Sequence, residues 1–451
     1  MRKMLGLLIA LSLSLAACGE GGSAPAPSAC SNDAQKQFVL DALYAWYLWN
    51  DLLPANIPIS NYATPEELVA RVTLELGPQD SQGNPIDLWS SLGSAAADQQ
   101  FFGEGKYEGF GFSYRAEAGD DMWFTRVVSD SPAALAGFAR GQQVLRLDGR
   151  TVADIVANEG ISVALDKATV TFEVLRPDTS TFTVPVTKGI VTIDPVPQYR
   201  IIDRGAGVPP VGYLELAQFI GTADPREPNP APVNLGTVFA EFAALGVTDV
   251  ILDLRYNGGG RVDTAELLGD YLGGFANAGQ VFSATEFNAD RAPANNSTTL
   301  FSQQANSINL SRLVVIATRG TASASELVTN SMAPWVDVSI VGDNTYGKPV
   351  GQIGIEFCEK MLRPTSFRTV NALGQGDYFG GLPVDCAAPD DIALTVGADD
   401  DPNILAAMGL LETGGCPVAA APGGQFKVQE AVAFPREHQG GRPERDFGNA
   451  Y

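Results

Sequence analysis

The sequence predicts a multidomain chain of mixed α+β and α/β class: a small helical N-terminal region, a β-rich domain and an α/β core built on a β-α-β unit. Three observations predict it. The chain has 451 residues, which is more than one hydrophobic core usually supports. Residues 105–190 contain short β-type runs separated by Gly, Asp and Pro, a pattern typical of strands joined by turns. From residue 191 strand-type runs alternate with helical ones, which favours an α/β sheet.

The first 18 residues, MRKMLGLLIALSLSLAAC, have the pattern of a secretion signal, with basic residues, a short apolar stretch and then small residues. Its last four residues, LAAC, resemble a bacterial lipobox, which implies that Cys18 carries a lipid. An ordinary signal peptide with Cys18 incidental is the alternative. Residues 19–30 are predicted to be a flexible tether. We therefore expect an exported protein of the bacterial cell envelope, lipid-anchored at a membrane facing the periplasm.

Residues 31–104 are predicted to form the helical N-terminal region. Aromatic and aliphatic side chains recur at helical spacing between residues 31 and 53, and we assign them to the core. A second helix is expected to start at Thr64, because threonine caps, Pro65 suits the first helical position and Glu67 completes a capping box. No function is assigned to this region.

The β-rich domain is predicted at residues 105–190, with strands at 122–128, 143–149 and 168–176 and a short helix at 131–138. The order and spacing resemble a PDZ domain of the bacterial protease type, with GFGF (109–112) in the place of the carboxylate-binding loop. Successive amides around Phe110, Gly111 and Phe112 could hold a terminal carboxylate while the strand edge pairs with an extended peptide. The alternative is a sheet whose glycines serve tight turns.

The α/β core is predicted at residues 191–416, followed by a polar tail at 417–451. The predicted β-α-β unit consists of a strand at 211–219, an amphipathic helix at 235–246 and a strand buried on both faces at 247–255. Two loops of small residues follow strands: YNGGG (256–260) and GTASASEL (320–327). Because open α/β sheets place their sites at the carboxyl ends of the strands, these loops are the expected site.

The number of histidines limits the chemistry that is expected at that site. The chain has one histidine, His438, in the polar tail, so a Ser-His-Asp triad or a histidine-rich zinc site would depend on that residue. A nucleophilic serine is therefore expected to use a lysine, which acts as a base when desolvation favours the neutral amine. Beyond residue 190 the lysines are Lys348, Lys360 and Lys427, and of these Lys348 lies in a glycine-flanked loop after an apolar strand. The alternative is that Lys348 is a solvated loop lysine.

The loop GTASASEL has a structural interpretation too, because Ser323 followed by Glu326 is a capping box. Yet GTASASEL, TYGKPVGQ (345–352) and DLRYNGGG (253–260) together resemble the C-terminal processing peptidases, also called tail-specific proteases. The resemblance covers about residues 105–400. It implies a Ser-Lys dyad in which Ser323 is the nucleophile, Lys348 the general base and Gln352 the residue that orients the lysine.

An oxyanion hole is expected beside the nucleophile. A serine at the first turn of a helix has the next backbone N–H, that of Ala324, directed at the oxyanion, with help from the helix dipole. The second donor is expected from Gly258 or Gly259, because glycine lets the backbone approach a substrate closely.

The resulting prediction is a serine endopeptidase that acts on proteins or peptides, captured by C-terminal or exposed apolar segments. Neither a cofactor nor a metal is expected. A non-catalytic peptide-binding lipoprotein on the same fold, and an esterase or amidase of small molecules, are the alternatives. The net charge of −23, from 29 basic and 52 acidic residues, disfavours binding of nucleic acid. The oligomeric state is not predicted.

Four cysteines remain besides Cys18: Cys30, Cys358, Cys386 and Cys416. An exported protein can keep disulfides, and four cysteines allow three sets of pairings. We favour Cys358 with Cys386 because they are nearest in sequence. A metal site is disfavoured because the cysteines lack a CxxC spacing and nearby histidines.

Overall fold

The computed structural model describes residues 29–117, 121–227, 233–274 and 276–416. The predicted secretion signal with Cys18, most of the predicted tether, and the polar tail with His438 lie outside the described residues. Within the described ranges, no helix has both the length and the apolar character needed to cross a membrane.

The N-terminal region is mainly helical. Its elements are α1 (Asn32–Trp46), α2 (Pro65–Glu75), β1 (Ser91–Ser94) and α3 (Ala95–Phe102). The expected threonine cap of α2 is confirmed, because the Glu67 N–H donates to Thr64 Oγ1 (3.1 Å). The Glu67 carboxylate accepts the Ala63 N–H (2.6 Å) in place of the Thr64 N–H that a capping box would use. The helical pattern extends to residue 53, but α1 ends at Trp46. The helix stops there because Tyr47 has an extended backbone (φ −64°, ψ 132°), and a 3₁₀ turn follows at Asn50–Leu52.

Residues 106–192 form a β-rich unit. Its elements are β2 (Lys106–Gly109), β3 (Phe112–Glu117), β4 (Asp121–Val127), α4 (Pro132–Leu135), β5 (Gln143–Leu147), β6 (Arg150–Thr151), α5 (Val152–Asn158), α6 (Ile161–Leu165), β7 (Thr169–Leu175), β8 (Thr181–Thr187) and β9 (Gly189–Thr192). The antiparallel sheet has the order β3-β4-β5-β7-β8, with β6 beside β5, and β2 pairs with β9. The three predicted strands and the short helix are present, although α4 is shorter than expected.

The core is an α/β structure with additional small sheets. Its elements are β10 (Gln198–Ile202), β11 (Val211–Glu215), α7 (Leu235–Ala244), β12 (Asp249–Asp253), α8 (Val262–Gly273), β13 (Val281–Phe287), α9 (Ala292–Asn295), β14 (Ser297–Leu300), β15 (Arg312–Ala317), α10 (Ala324–Met332), β16 (Asp337–Gly342), β17 (Val350–Gln352), β18 (Ile355–Phe357), β19 (Lys360–Arg363), β20 (Thr365–Val370), β21 (Cys386–Ala387) and α11 (Pro402–Thr413). The main sheet has the order β10-β11-β12-β15-β16-β21. It is parallel from β11 onward, as the β-α-β pattern predicts.

Helices cover both faces of this main sheet. Leu235, Leu267 and Leu327, from α7, α8 and α10, belong to one buried cluster with alternate residues of the strands. Ile404 and Leu411 of α11 belong to the cluster on the other face. All five residues of β12 are buried, so the prediction of a strand buried on both faces is confirmed.

The predicted Cys358–Cys386 disulfide is wrong. Cys30 is bonded to Cys358, and Cys386 is bonded to Cys416. Cys358 lies at the turn between β18 and β19, and β19 pairs with β1 of the N-terminal region. Cys386 lies in β21, beside β16 at the edge of the main sheet. Nearness in sequence misled the prediction because the two cysteines lie in different sheets.

Candidate active site

Two of the predicted loops meet at the carboxyl edge of the main sheet. Strands β12 and β15 are parallel neighbours, so the chain leaves both strands at the same edge. The Ala322 N–H donates to Asn257 O (3.1 Å), and Thr321 Oγ1 donates to Leu254 O (2.8 Å). The serine-rich loop is thus tied directly to the glycine loop.

The three hydroxyl groups of GTASASEL have different surroundings. Thr321 and Ser325 are fully buried, and Ser325 Oγ donates to Asn257 O (2.9 Å) much as Thr321 donates to Leu254 O. Ser323 is half-buried and lines a cavity of about 20 Å³, roughly the size of one water molecule. Ser323 is therefore the hydroxyl that a substrate could reach.

The backbone at Ser323 is strained. Its φ of 57° and ψ of −114° belong to a region that L-residues rarely adopt, at a cost of about 1–3 kcal/mol. Ser323 stands between β15 and α10, immediately before the first helical residue, Ala324. A strained strand-to-helix turn of this kind projects a nucleophile away from the backbone.

Lys348 lines the same cavity as Ser323. Its Nζ donates to Gln352 Oε1 (3.0 Å). The Gln352 amide nitrogen donates in turn to the carbonyl oxygens of Trp89 (2.5 Å) and Arg363 (3.0 Å). Because both amide protons are used there, the amide oxygen is the atom presented to the lysine. Ser323, Lys348 and Gln352 are thus brought together.

The glycine loop packs against the helix start. Gly259 has φ 106°, and a Cβ there would lie 2.7 Å from Ser323 Cβ and 2.8 Å from the Ala324 nitrogen, so this position requires glycine. The Gly259 N–H donates to Asn257 Oδ1 (2.9 Å). Within the described residues Gly258 N–H makes no such bond, which leaves it as the second candidate donor.

Family models match two stretches of the chain: "Peptidase family S41" at residues 210–379 and "Peptidase S41 N-terminal domain" at residues 34–114. The chain belongs to peptidase family S41. A "C-terminal processing peptidase, chloroplastic" from Tetradesmus obliquus is 26% identical over 267 residues, which are 56% of this chain and 53% of the relative. A "Carboxy-terminal-processing protease" from Bartonella bacilliformis is 24% identical over 271 residues, 57% of each chain. The chain thus spans little more than half the length of these relatives.

Solved structures of the S41 family have the same fold. A putative S41 protease from Bacteroides fragilis matches with a TM-score of 0.61 and 22% sequence identity. The match covers 83% of this chain and 96% of that one. At this identity the likeness concerns the fold, and it agrees with the predicted combination of α+β and α/β parts.

Glu326, predicted only as part of a helix cap, joins the loop of Ser323 to the loop of Lys348. Its carboxylate accepts the N–H groups of Ser323 (2.9 Å), Lys348 (2.8 Å) and Gly347 (2.7 Å) and the hydroxyl of Thr345 (2.5 Å). Burial raises the pKa of Glu326, and these four hydrogen bonds oppose that shift. The capping pattern marks Glu326 in the sequence, but its contacts with residues 345–348 depend on the fold.

The predicted peptide-binding residues lie in the β-rich unit. Phe110 and Phe112 are buried in its aromatic core, so their side chains build the unit itself. Gly111 has φ 88°, and its carbonyl oxygen accepts the Val128 N–H (2.8 Å). Next to this loop, β3 is the terminal strand of its sheet. The main-chain edge of β3 is therefore the part of the unit that an extended peptide could join.

Tyr256, which precedes the glycine loop, is held by two arginines of the β-rich unit. Arg140 donates to the Tyr256 hydroxyl (2.7 Å) and to Asp390 Oδ1 (2.7 Å). The guanidinium carbons of Arg140 and Arg126 lie 5.8 and 5.9 Å from the centre of the Tyr256 ring, and Arg126 also pairs with Glu215. Tyr256 has φ 66°. No local sequence pattern marks this contact, because it joins residues 116 positions apart.

Proposed function

We propose that this protein is a serine endopeptidase that cleaves polypeptides through a Ser323–Lys348 dyad. The observation that carries the proposal is the difference between the hydroxyls: Thr321 and Ser325 donate to backbone carbonyls, whereas Ser323 borders the cavity that Lys348 also lines. Membership of family S41 and the names of the relatives support a polypeptide substrate.

In the proposed reaction the neutral amine of Lys348 takes the proton of the Ser323 hydroxyl, and Oγ attacks the scissile carbonyl carbon. The tetrahedral intermediate collapses, the peptide C–N bond breaks, and the lysine proton passes to the leaving amine. Water then attacks the acyl-enzyme ester, with Lys348 accepting a proton from the water and returning it to Ser323 Oγ. No net proton is gained or lost by the protein.

The surrounding groups have separate roles in this proposal. The N–H groups of Ala324 and Gly258 stabilise the oxyanion, because backbone donors beside a nucleophile act on the charge that develops in the transition state. Gln352 Oε1 holds the lysine Nζ in place. Glu326 keeps the two loops in register through its four hydrogen bonds.

Labelling with a fluorophosphonate probe, together with hydrolysis of an apolar-tailed peptide, tests the dyad. We expect Ser323→Ala and Lys348→Ala to abolish both signals, while Lys106→Ala, which removes a partly exposed lysine paired with Glu104, keeps both. Activity that survives in both dyad variants would refute the proposal. Peptide binding without any labelling of the unmodified protein would favour the non-catalytic alternative, and turnover of small esters without turnover of peptides would favour the esterase.

We further propose that the β-rich unit acts as a PDZ-like domain that captures the substrate's C-terminus. The support is the loop at Phe110, Gly111 and Phe112 beside the terminal strand β3. Strand addition supplies main-chain hydrogen bonds, and a loop of amides can hold the carboxylate. A peptide with a free C-terminus should bind more tightly than its C-terminal amide. Equal affinities measured by isothermal titration calorimetry would contradict carboxylate capture.

The proposed location is the bacterial cell envelope, with a lipid on Cys18 as the anchor. The support is the sequence LAAC at residues 15–18. We expect Cys18→Ala to move the protein from the membrane fraction to the soluble fraction when bacterial extracts are fractionated. A variant that stays with the membrane would contradict lipid anchoring at this cysteine.

A further inference from the structure

Lys348 and Gln352 are in contact with the N-terminal region as well as with the core. The carbonyl oxygen of Trp89 accepts the Gln352 amide nitrogen at 2.5 Å. The Trp89 ring has its centre 6.0 Å from Lys348 Nζ. We propose that Trp89 is a positioning residue that orients Gln352 and shields Lys348 from water, so that the N-terminal region completes the active site. The inference rests on the proposed dyad.

The chain around Trp89 is held firmly in place by a buried carboxylate. Asp87 is fully buried and accepts the N–H groups of Trp89 (2.9 Å) and Ser90 (3.1 Å), the Ser90 hydroxyl (2.6 Å) and the Thr365 hydroxyl (2.9 Å). These four hydrogen bonds join residues 87–90 to one another and to Thr365. The Trp89 carbonyl is therefore fixed relative to Thr365 in β20 of the core.

The second acceptor for Gln352 also depends on the N-terminal region. This acceptor is the Arg363 carbonyl (3.0 Å), in strand β19, which pairs with β1. The Arg363 side chain forms an ion pair with Asp98 of α3, and its guanidinium lies 4.6 Å from the centre of the Phe102 ring. Both carbonyls that orient the glutamine thus sit on, or are held by, residues 87–102.

The orientation of the glutamine amide decides what the lysine meets. With its nitrogen bonded to two carbonyls, Gln352 offers its oxygen to the lysine Nζ. Without these carbonyls the amide could rotate and present its NH₂ group, which cannot accept a hydrogen bond from Lys348. The base would then lose the contact that holds it near Ser323.

The Trp89 ring has two opposing effects on the charge of the lysine. A cation–π contact favours the ammonium form, but at 6.0 Å this contact is at the limit of its range. Exclusion of water by the ring favours the neutral amine. We therefore expect loss of the ring to let water reach Nζ, so that a higher pH is needed to supply the neutral base.

The first experiment compares the pH dependence of kcat/KM in four proteins: the unmodified chain, Trp89→Ala, Trp89→Phe and the control Trp46→Ala. Trp46 is a half-buried tryptophan of the same region that packs on Phe287 and Arg291. We expect Trp89→Ala to lower kcat about tenfold with little change in KM, and to move the acidic limb of the profile upward by about half a pH unit or more.

Trp89→Phe keeps an aromatic ring over the lysine, which Trp89→Ala lacks, so it should restore most of kcat and of the pH profile. The main-chain carbonyl of residue 89 is present in both variants, so the comparison tests the ring. Trp46→Ala should leave the profile in place whatever it does to stability. A folded Trp89→Ala protein with the unmodified kcat and pH profile would overturn the inference.

A second measurement does not depend on the folding of an alanine variant. In protein labelled with 5-fluorotryptophan, the ¹⁹F resonance of Trp89, assigned by its loss in Trp89→Phe, should shift with the same midpoint as the acidic limb of the rate profile. The shift should disappear in Lys348→Met. A Trp89 resonance insensitive to Lys348 would overturn the inference. If the unmodified protein shows neither hydrolysis nor labelling, the proposed function fails. The ¹⁹F titration of Trp89 then still tests the contact between Trp89 and Lys348, because it needs no enzymatic activity.

Discussion

The N-terminal region and the β-rich unit both reach the candidate site, but different interactions attach them to the core. The N-terminal region shares a sheet with the core through β1 and β19, a hydrophobic cluster that includes Leu92 and Leu362, and the Cys30–Cys358 disulfide. It reaches Lys348, the proposed base. The β-rich unit reaches the glycine loop at Tyr256, through the charged contacts of its arginines.

The difference suggests a division of labour. Apolar packing and a covalent bond resist displacement, whereas ion pairs and hydrogen bonds between two units exchange more readily with water. We therefore expect the side of the site that holds the base to be fixed. We expect the side that carries the proposed oxyanion donors to depend on the contact between Arg140 and Tyr256.

The largest effect is expected where the two sides meet. Glu326→Gln leaves one accepting oxygen for the donors that the carboxylate now binds, and turns an NH₂ group toward the others. We expect kcat/KM to fall by about 10²–10³, as when an oxyanion donor is lost. The pH profile should change too, because Glu326 bonds the N–H of Lys348 as well as that of Ser323. Glu412→Gln, at an exposed position of α11, is the control for hydrolysis assays. Unchanged kcat/KM in Glu326→Gln would contradict the bridging role.

The next test concerns the covalent attachment of the N-terminal region. The Cys30–Cys358 bond spans 328 residues, and the Cys386–Cys416 bond spans 30. Loss of a native disulfide typically costs about 2–5 kcal/mol, more for longer loops in the chain-entropy model. Replacing both cysteines of the first pair by serine should lower the free energy of unfolding in urea more than replacing both cysteines of the second pair. The opposite order would argue against the first bond as the main covalent anchor.

Arg140→Gln breaks the contact between the β-rich unit and the glycine loop. The variant loses the ion pair with Asp390 and weakens the hold on Tyr256. We expect kcat to fall about tenfold, which corresponds to about 1.4 kcal/mol, with the acidic limb of the pH profile unmoved. This would contrast with Trp89→Ala, in which the limb moves. If Arg140→Gln and Trp89→Ala move the acidic limb of the pH profile equally, the β-rich unit and the N-terminal region do not act on different parts of the site.

The same contact should depend on pH in a predictable direction. Burial acts to raise the pKa of Asp390, but Arg140, Tyr256 and Arg255 outweigh it and hold the pKa below its usual value. A carboxyl group with a lowered pKa stabilises the fold above its unfolded pKa of about 3.9, and this contribution is lost as the pH falls through the folded value. The difference in unfolding free energy between the unmodified protein and Arg140→Gln should thus be constant from about pH 5 to 8. It should shrink below about pH 4.

The smallest effect on stability is expected at Ser323, the proposed nucleophile. Because Ser323 has φ 57°, Ser323→Gly should relieve strain and raise the free energy of unfolding by about 1 kcal/mol, while activity is lost. Ser323→Ala should lose activity without that gain. Equal stabilities of the two variants in urea titrations would indicate that the backbone strain at this position is negligible.

Local sequence patterns predict the parts of the site that depend on neighbouring residues. The buried strand before the glycine loop, the strand before GTASASEL and the cap at Ser323 are each visible within about ten residues. Their meeting at one sheet edge follows from the parallel order of β12 and β15. These parts could be predicted because the spacing of apolar residues in a strand and the residues of a helix cap lie close together in the sequence.

Contacts between distant segments could not be predicted in this way. Gln352 was expected to orient Lys348, but its own partner, Trp89, lies 263 positions away in a region to which no function was assigned. The cysteine pairing failed for the same reason, since sheet partners such as β1 and β19 decide it. Such contacts depend on how whole units pack, which a single sequence records only weakly.

The terminal position of β3 has a consequence for association between molecules. As the terminal strand of its sheet, β3 can accept a substrate strand, but it can equally accept the edge of another copy of the chain, which is a common route to aggregation. A net charge of −23 opposes such an encounter by mutual repulsion. Salt screens that repulsion. We therefore expect association of two copies through β3 to be weakest at low ionic strength, where β3 stays available to a substrate peptide.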